Sequence, residues 1–178
     1  MTGLMLCWHH LSGLPWRVNR RVLPWMGVES ITLAMFVLFL AQTQAKWFPV
    51  QLCASPPFSH ATLFAQQEPL GFVTRLIGFF GAGFYEEVLF RLMLFPIVAL
   101  ILHKVGLRPA AAWFAALVVS SLLFAAAHHL GPGGEPWNLR PFVFRFVAGA
   151  LFCLLFLKRG FGVTAWSHAL YDIIVGVF

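Results

Sequence analysis

The sequence predicts an all-α fold, a polytopic bundle of transmembrane helices with about five spans and additional interfacial segments. Two observations support this. Hydrophobic residues make up 60% of the 178 residues and charged residues only 10%, whereas soluble domains carry about 25% charged residues. The apolar residues also gather in runs, several of them close to the length of about 20 residues that one helix needs to cross a bilayer. We therefore expect one domain, integral to a membrane.

The apolar runs divide the chain in order. Residues 1–27 hold three tryptophans and a group of arginines, a composition typical of a segment at the membrane interface. Residues 28–178 form the predicted bundle, and residues 48–69 form a loop because prolines interrupt regular structure there. The five predicted spans are residues 28–47, 70–103, 110–130, 142–157 and 162–178.

The second span is too long for one straight crossing, since a helix over residues 70–103 would measure about 50 Å. The run Gly81-Ala82-Gly83 predicts a break or a tight helix contact, which divides the span into segments 71–80 and 84–102. Pro96 is expected to kink the second of these segments.

The formal net charge of +6 does not indicate a nucleic-acid partner, because the basic residues form no stripe with interleaved aromatics. They lie in small groups at the ends of apolar runs, where they set membrane orientation. Seven lie at ends predicted to be cytoplasmic, and three, Lys46, Arg140 and Arg145, lie at the opposite ends. This asymmetry predicts a cytoplasmic N-terminus.

Three charged residues, Glu86, Glu87 and Arg91, lie inside the second apolar run. Each ionised group at the centre of a bilayer costs about 2.5–3.5 kcal/mol, so three facing lipid would cost roughly 10 kcal/mol. They must therefore face protein or trapped water. Glu87 and Arg91 are four residues apart and share a helix face, whereas Glu86 is rotated by about 100°. We expect Glu87 to pair with Arg91 and Glu86 to point into a cavity.

Two later spans repeat the four-residue spacing, Phe124 with His128 and His168 with Asp172. The three polar faces avoid lipid only by facing one another. Glu86 and His128 would then activate a water as general base. His168 and Asp172 would stabilise charge on a substrate carbonyl oxygen. This set predicts peptide-bond hydrolysis without a serine or cysteine nucleophile, with Phe124 serving mainly in packing.

The patterns Glu86-Glu87-x-x-x-Arg91, Phe124-x-x-x-His128 and His168-x-x-x-Asp172 resemble, in this order, the three motifs of the CPBP intramembrane proteases. That family includes the type II CAAX prenyl endopeptidases and many bacterial Abi proteins. The resemblance covers about residues 70–172 and implies a protease core at residues 70–178.

The resemblance implies a glutamate-type endopeptidase without a metal cofactor. Glu86 would be the base, His128 its water-holding partner, and His168 with Asp172 the oxyanion side. Glu87 and Arg91 would be a supporting structural pair. The last motif position is often Asn in the family, and Asp172 donates a hydrogen bond there only when it is protonated.

The resemblance also implies a membrane-associated protein or peptide substrate, cut near its C-terminus or in a membrane-embedded segment, and a bacterial inner membrane as the location. A lipidated protein and a C-terminal sorting tail are both candidates. The predicted topology places the site nearer the outer side, which favours the sorting tail.

Alternatives stay open. Glu86, His128 and His168 supply a nitrogen and oxygen ligand set for zinc with a position left for water, although HExxH is absent. A non-catalytic immunity or scaffold protein and a proton-coupled carrier are the other function classes.

Overall fold

A computed structural model describes residues 2–13, 19–47, 71–131 and 134–177, which form helices and connecting turns without any strand. The all-helical prediction is confirmed for this part of the chain, whereas the predicted loop 48–69 lies outside the described residues. In chain order the helices are α1 (Thr2–Leu11), α2 (Leu23–Trp47), α3 (Phe72–Glu87), a π-helical segment (Val88–Leu94), α4 (Phe95–Lys104), α5 (Pro109–Ala127), α6 (Leu139–Arg159) and α7 (Phe161–Val177).

Three helical segments are long and apolar enough to cross a membrane by length and composition: Leu23–Gln44, Pro109–Ala127 and Leu139–Arg159. The α7 helix is apolar but has only 17 residues, and the remaining predicted span is the helical run from Phe72 to Lys104. Large apolar side chains stay exposed on these helices, including Phe39 (60%), Ile77 (67%) and Phe114 (70%). Such extensive apolar exposure suits lipid contact and not water.

Contacts between helix termini define two ends of the bundle. Arg159, at the end of α6, donates to both carboxylate oxygens of Glu29, near the start of α2, at 2.5 Å each. Gln44, near the end of α2, donates to the Arg140 carbonyl at the start of α6, at 3.1 Å. Because α5 is joined to α6 by a short loop and packs against it, His128 lies at the Arg140 end. We call this the site end.

The helical run from residue 72 to residue 104 is not broken at Gly81-Ala82-Gly83, so the predicted division into segments 71–80 and 84–102 is wrong. The other predicted possibility, a tight helix contact at this run, is confirmed at Gly83, which packs against α7. A Cβ there would lie 2.9 Å from Asp172 Oδ2 and 3.0 Å from Ala169 Cα. A small residue lets neighbouring helices approach closely without ending either helix.

The irregular part of this run is the π-helical segment, which begins directly after the two glutamates. The Phe90 carbonyl accepts the Phe95 N–H five residues on and the Ser120 hydroxyl of α5 at 3.2 Å. Pro96 follows in the first turn of α4, where it has no N–H to donate to the preceding turn of the continuous helical run. The departure from α-helical winding thus begins before Pro96, and π-helical turns are frequent at functional sites.

The packing of α5 on α6 places the end of α5 beside the first turns of α6. A Cβ at Gly149 would lie 3.2 Å from Ser121 Cα, so these helices approach closely. One buried cluster (Phe95, Ala99, Ala116 and Cys153) joins α4, α5 and α6, and a second (Val37, Ala148 and Phe152) joins α2 to α6. Small residues therefore allow the helices to pack closely, and this packing sets the distances between the polar side chains at the site end.

Candidate active site

The two adjacent glutamates at the end of α3 have different surroundings. Glu87 is fully buried, whereas a quarter of the Glu86 side chain is exposed, into a cavity of about 370 Å³. Consecutive helical residues are rotated by about 100°, so one carboxylate faces the packed interior of the bundle and the other faces the cavity.

The cavity brings together the four residues predicted to be catalytic, Glu86, His128, His168 and Asp172. Glu86 lies between the imidazoles, with Oε1 3.8 Å from His128 Nε2 and Oε2 3.7 Å from His168 Nε2. His168 Nε2 is also 3.5 Å from Asp172 Oδ2. These separations exceed ordinary hydrogen-bond lengths. The polar atoms of four residues, from α3, α7 and the residue that follows α5, therefore surround one small space.

His168 is oriented most closely by Glu87. Its Nδ1 atom lies 2.7 Å from Glu87 Oε1, and the same oxygen lies 3.1 Å from Arg91 Nη1. An ionised carboxylate only accepts hydrogen bonds, so Nδ1 carries the proton and Nε2 faces Glu86 and Asp172. The Glu87–Arg91 pair forms as its four-residue spacing indicates, but Glu87 also holds His168, a contact that the spacing within α3 does not predict.

Aromatic rings surround the buried Arg91 guanidinium. Its carbon lies 4.2 Å from the centroid of Phe124 and 5.4 Å from that of Phe152, distances at which cation–π attraction operates. Phe152 also stacks on His168, with centroids 4.7 Å apart and an interplanar angle of 21°. Phe124 contacts both His128 and His168 edge to face. The rings thus limit rotation of the imidazoles.

His128 follows the last residue of α5, and its Nδ1 atom lies 2.9 Å from the Phe124 carbonyl oxygen. A carbonyl only accepts, so this contact assigns the proton to Nδ1. In the neutral ring, Nε2 is then an acceptor directed toward Glu86. Glu86 and His128 together offer two acceptors for the hydrogens of one water molecule.

Two residues of the same cavity, Glu135 and Arg145, were missed as site residues. Arg145 Nη2 lies 2.5 Å from Glu135 Oε1, and their side chains are only 8% and 5% exposed. The assignment of Arg145 to a helix end was wrong, because it lies inside α6, six residues after Leu139. An arginine within an apolar span was the signal for a functional position, and Glu135 is one of only six acidic residues in the chain.

No group of three or more His, Cys, Asp or Glu residues suited to holding a metal ion occurs among the residues that the structure describes. The zinc alternative on Glu86, His128 and His168 stays a prediction. A larger cavity, of about 620 Å³, lies between α4 and α5. Its described lining is apolar apart from His103 and includes no carboxylate, whereas carboxylates and imidazoles line the smaller cavity together.

A family model described as Rce1-like, type II CAAX prenyl endopeptidase Rce1-like, matches residues 68–174. The matched segment comprises 107 of the 178 residues. It includes the charged and imidazole side chains that line the 370 Å³ cavity: Glu86, His128, Glu135, Arg145, His168 and Asp172. No curated protein and no solved structure matches the chain.

Proposed function

The chain belongs to the family of Rce1-like type II CAAX prenyl endopeptidases, and from this premise we propose that Glu86 activates a water molecule that hydrolyses the substrate peptide bond. Membership implies a membrane-embedded peptidase that acts on membrane-associated proteins. The observation that carries the proposal is the position of Glu86, which lies between His128 Nε2 and His168 Nε2 in one cavity.

In the proposed first step, a water donates its hydrogens to Glu86 Oε1 and His128 Nε2. Glu86 takes one proton as the general base, and the oxygen attacks the carbonyl carbon of the scissile peptide bond. The carbonyl π electrons move to the carbonyl oxygen, which becomes an oxyanion. Because the base and the water-holding group come from different helices, their separation of 3.8 Å is set by packing.

The oxyanion side of the site is formed by His168 and Asp172. His168 donates from Nε2 when both ring nitrogens are protonated, and Asp172 donates when it carries a proton. The intermediate then collapses, the C–N bond breaks, and the protonated Glu86 gives its proton to the leaving nitrogen. Glu86 returns to its ionised state, and the products are an amine and a carboxylic acid that keeps the second hydrogen of the water. Transfer of this hydrogen as a proton to the amine then gives a carboxylate and an ammonium group.

We propose a substrate that is cut near its C-terminus, either a lipidated protein or a C-terminal sorting tail. A cavity of about 370 Å³ is near the lower limit for sites that enclose small ligands, which suits a few residues of extended chain. The basic bundle end that contains Lys104, Arg108 and Arg159 is proposed to face the cytoplasm of a bacterial inner membrane. The site would then lie in the outer half of the membrane, where sorting tails are accessible.

The test is cleavage of an internally quenched peptide whose prenylated cysteine is the fourth residue from its C-terminus, with an unprenylated peptide alongside. Glu86→Gln preserves the side-chain shape and removes the base, so we expect at least a 10²-fold loss of rate. Glu29→Gln, an acid at the opposite end of the bundle, is the matched control. Cleavage of only the prenylated peptide would indicate a lipidated substrate. Undiminished cleavage by the Glu86 variant would refute the proposed mechanism.

A further inference from the structure

Glu135 connects the end of α5 to α6 through three contacts. It lies in the loop of residues 128–138, of which the structure describes residues 128–131 and 134–138. Its N–H donates to the His128 carbonyl at 2.9 Å, and its own carbonyl accepts from His129 Nδ1 at 3.1 Å. Its side chain reaches Arg145 on α6 at 2.5 Å. One loop residue thus binds both the backbone at the end of α5 and the interior of α6.

The loop backbone lies directly against the end of α5. A Cβ at Gly134 would lie 2.8 Å from the His129 carbonyl carbon, so only glycine fits there without movement of the backbone. The neighbouring Glu135–Arg145 pair is buried. A buried ion pair is costly to break, because the remaining charge is left without compensation. These two features restrain Gly134 and Glu135, although connecting segments are ordinarily among the more mobile parts of a protein.

His128 depends on this restraint because it follows the last residue of α5. Carbonyl groups at a helix C-terminus have no partner within the helix, and the His128 carbonyl obtains one from Glu135. We propose that Glu135 and Arg145 are positioning residues for His128. Their ion pair holds the loop on α5 and thereby holds the imidazole at its distance from Glu86. This inference rests on the proposed function, since it assigns a role in the same cleavage reaction.

The pair has a second consequence for the cavity, which both side chains line together with Glu86. Glu135 compensates the charge of Arg145 in a medium where Coulomb attraction is strong. Without Glu135, the guanidinium would attract the Glu86 carboxylate away from the water. Loss of Glu135 alone should therefore be more harmful than loss of both charges.

A double-mutant cycle tests the coupling. The variants are Glu135→Gln, Arg145→Gln and the double variant, assayed with a quenched peptide that the wild-type protein cleaves. We expect each single variant to lower kcat about 10-fold to 100-fold with little change in KM, as misplacement of a catalytic group does. The loss of kcat in the double variant should be no larger than the smaller of the two losses in the single variants. The reason is that the two amide side chains of the double variant can hydrogen-bond to each other without a charge. Arg145→Lys, which keeps the charge, should retain more activity than Arg145→Gln.

The matched control is the exposed ion pair Glu29–Arg159 at the other end of the bundle. Glu29→Gln with Arg159→Gln should leave kcat unchanged. If the losses of Glu135→Gln and Arg145→Gln simply multiply in the double variant, the pair is not coupled and the inference is wrong.

A second measurement does not depend on catalysis. His128→Cys is made in a chain whose three native cysteines are replaced by alanine, and its alkylation by a water-soluble maleimide is timed. Adding Glu135→Gln should raise the rate several-fold, whereas adding Glu29→Gln should not. An unchanged rate would overturn the positioning role. If Glu86→Gln retained cleavage, the proposed function would fail, but the alkylation rates would still decide whether Glu135 restrains the end of α5.

Discussion

Gly83→Ala is expected to disturb the site through the contact between α3 and α7. The added Cβ would lie 2.9 Å from Asp172 Oδ2, 3.0 Å from Ala169 Cα and 3.1 Å from Ala169 N. The aspartate side chain can rotate away, but the Ala169 backbone can only yield by moving α7. Since α7 carries both His168 and Asp172, a displacement of a few tenths of an ångström changes their positions relative to Glu86.

The magnitude follows from this geometry. A misplacement of 1 Å costs about 10²-fold in rate, so a displacement of a few tenths, together with rotation of Asp172, should lower kcat about tenfold. Overpacking costs about 1–3 kcal/mol. Because the displacement is small, we expect Gly83→Ala to lower the free energy of unfolding by about 1 kcal/mol, the lower end of this range. Peptide cleavage kinetics and thermal unfolding in detergent measure the two effects.

Gly81→Ala is the matched control, because a Cβ at Gly81 meets nothing within 4 Å. It makes the same chemical change two residues away in the same helix. We expect its kcat to remain at the wild-type value. If Gly83→Ala and Gly81→Ala had the same kcat within twofold, the close approach of α3 and α7 would not control the site, and the reasoning would be refuted.

Two further predictions concern the buried charges and the metal question. Arg91→Met leaves Glu87 buried without its cation and should lower the free energy of unfolding by about 3–5 kcal/mol. Thermal or denaturant unfolding measures this loss. Arg159→Met, at the exposed Glu29 pair, is the control and should lower the free energy of unfolding much less. Equal effects of the two variants would contradict the assigned burial. Peptide cleavage should persist after treatment with a membrane-permeant chelator, because the proposed nucleophile is a water that needs no metal. Activity that disappears with the chelator and returns with added zinc would favour the zinc alternative on Glu86, His128 and His168.

The location of the helices was predictable, because each apolar run must satisfy its backbone hydrogen bonds internally in lipid. The described helices α5, α6 and α7 begin and end within three residues of their predicted bounds. The π-helical segment was not predictable in the same way. The Phe90 carbonyl in this segment accepts a hydrogen bond from the Ser120 hydroxyl of another helix, and no pattern within residues 88–94 predicts that contact.

The site residues were predictable where their cost in lipid is visible in the sequence. Glu86, Glu87 and Arg91 in an apolar run, with His128, His168 and Asp172 on later spans, indicate polar faces that must meet. Glu135 was hidden because it lies in a loop, where an acidic residue has no energetic cost in water. Arg145 was visible as an arginine within the predicted span 142–157, but it was counted with the basic residues that set membrane orientation, whereas its side chain is buried in the folded chain.

By itself, the sequence determined that this chain is a helical membrane protein with carboxylates and imidazoles on facing helices, because charge in an apolar medium restricts where such groups can lie. Only the tertiary structure decided how the contacts are shared. In the folded chain, Glu87 and not Asp172 contacts His168 Nδ1. The absence of a side chain at Gly83 lets α3 pack closely against α7, and Glu135, near the end of α5, pairs with Arg145. These contacts join side chains from different helices or from a loop and a helix, and the distances between them are set by side-chain packing and not by local sequence.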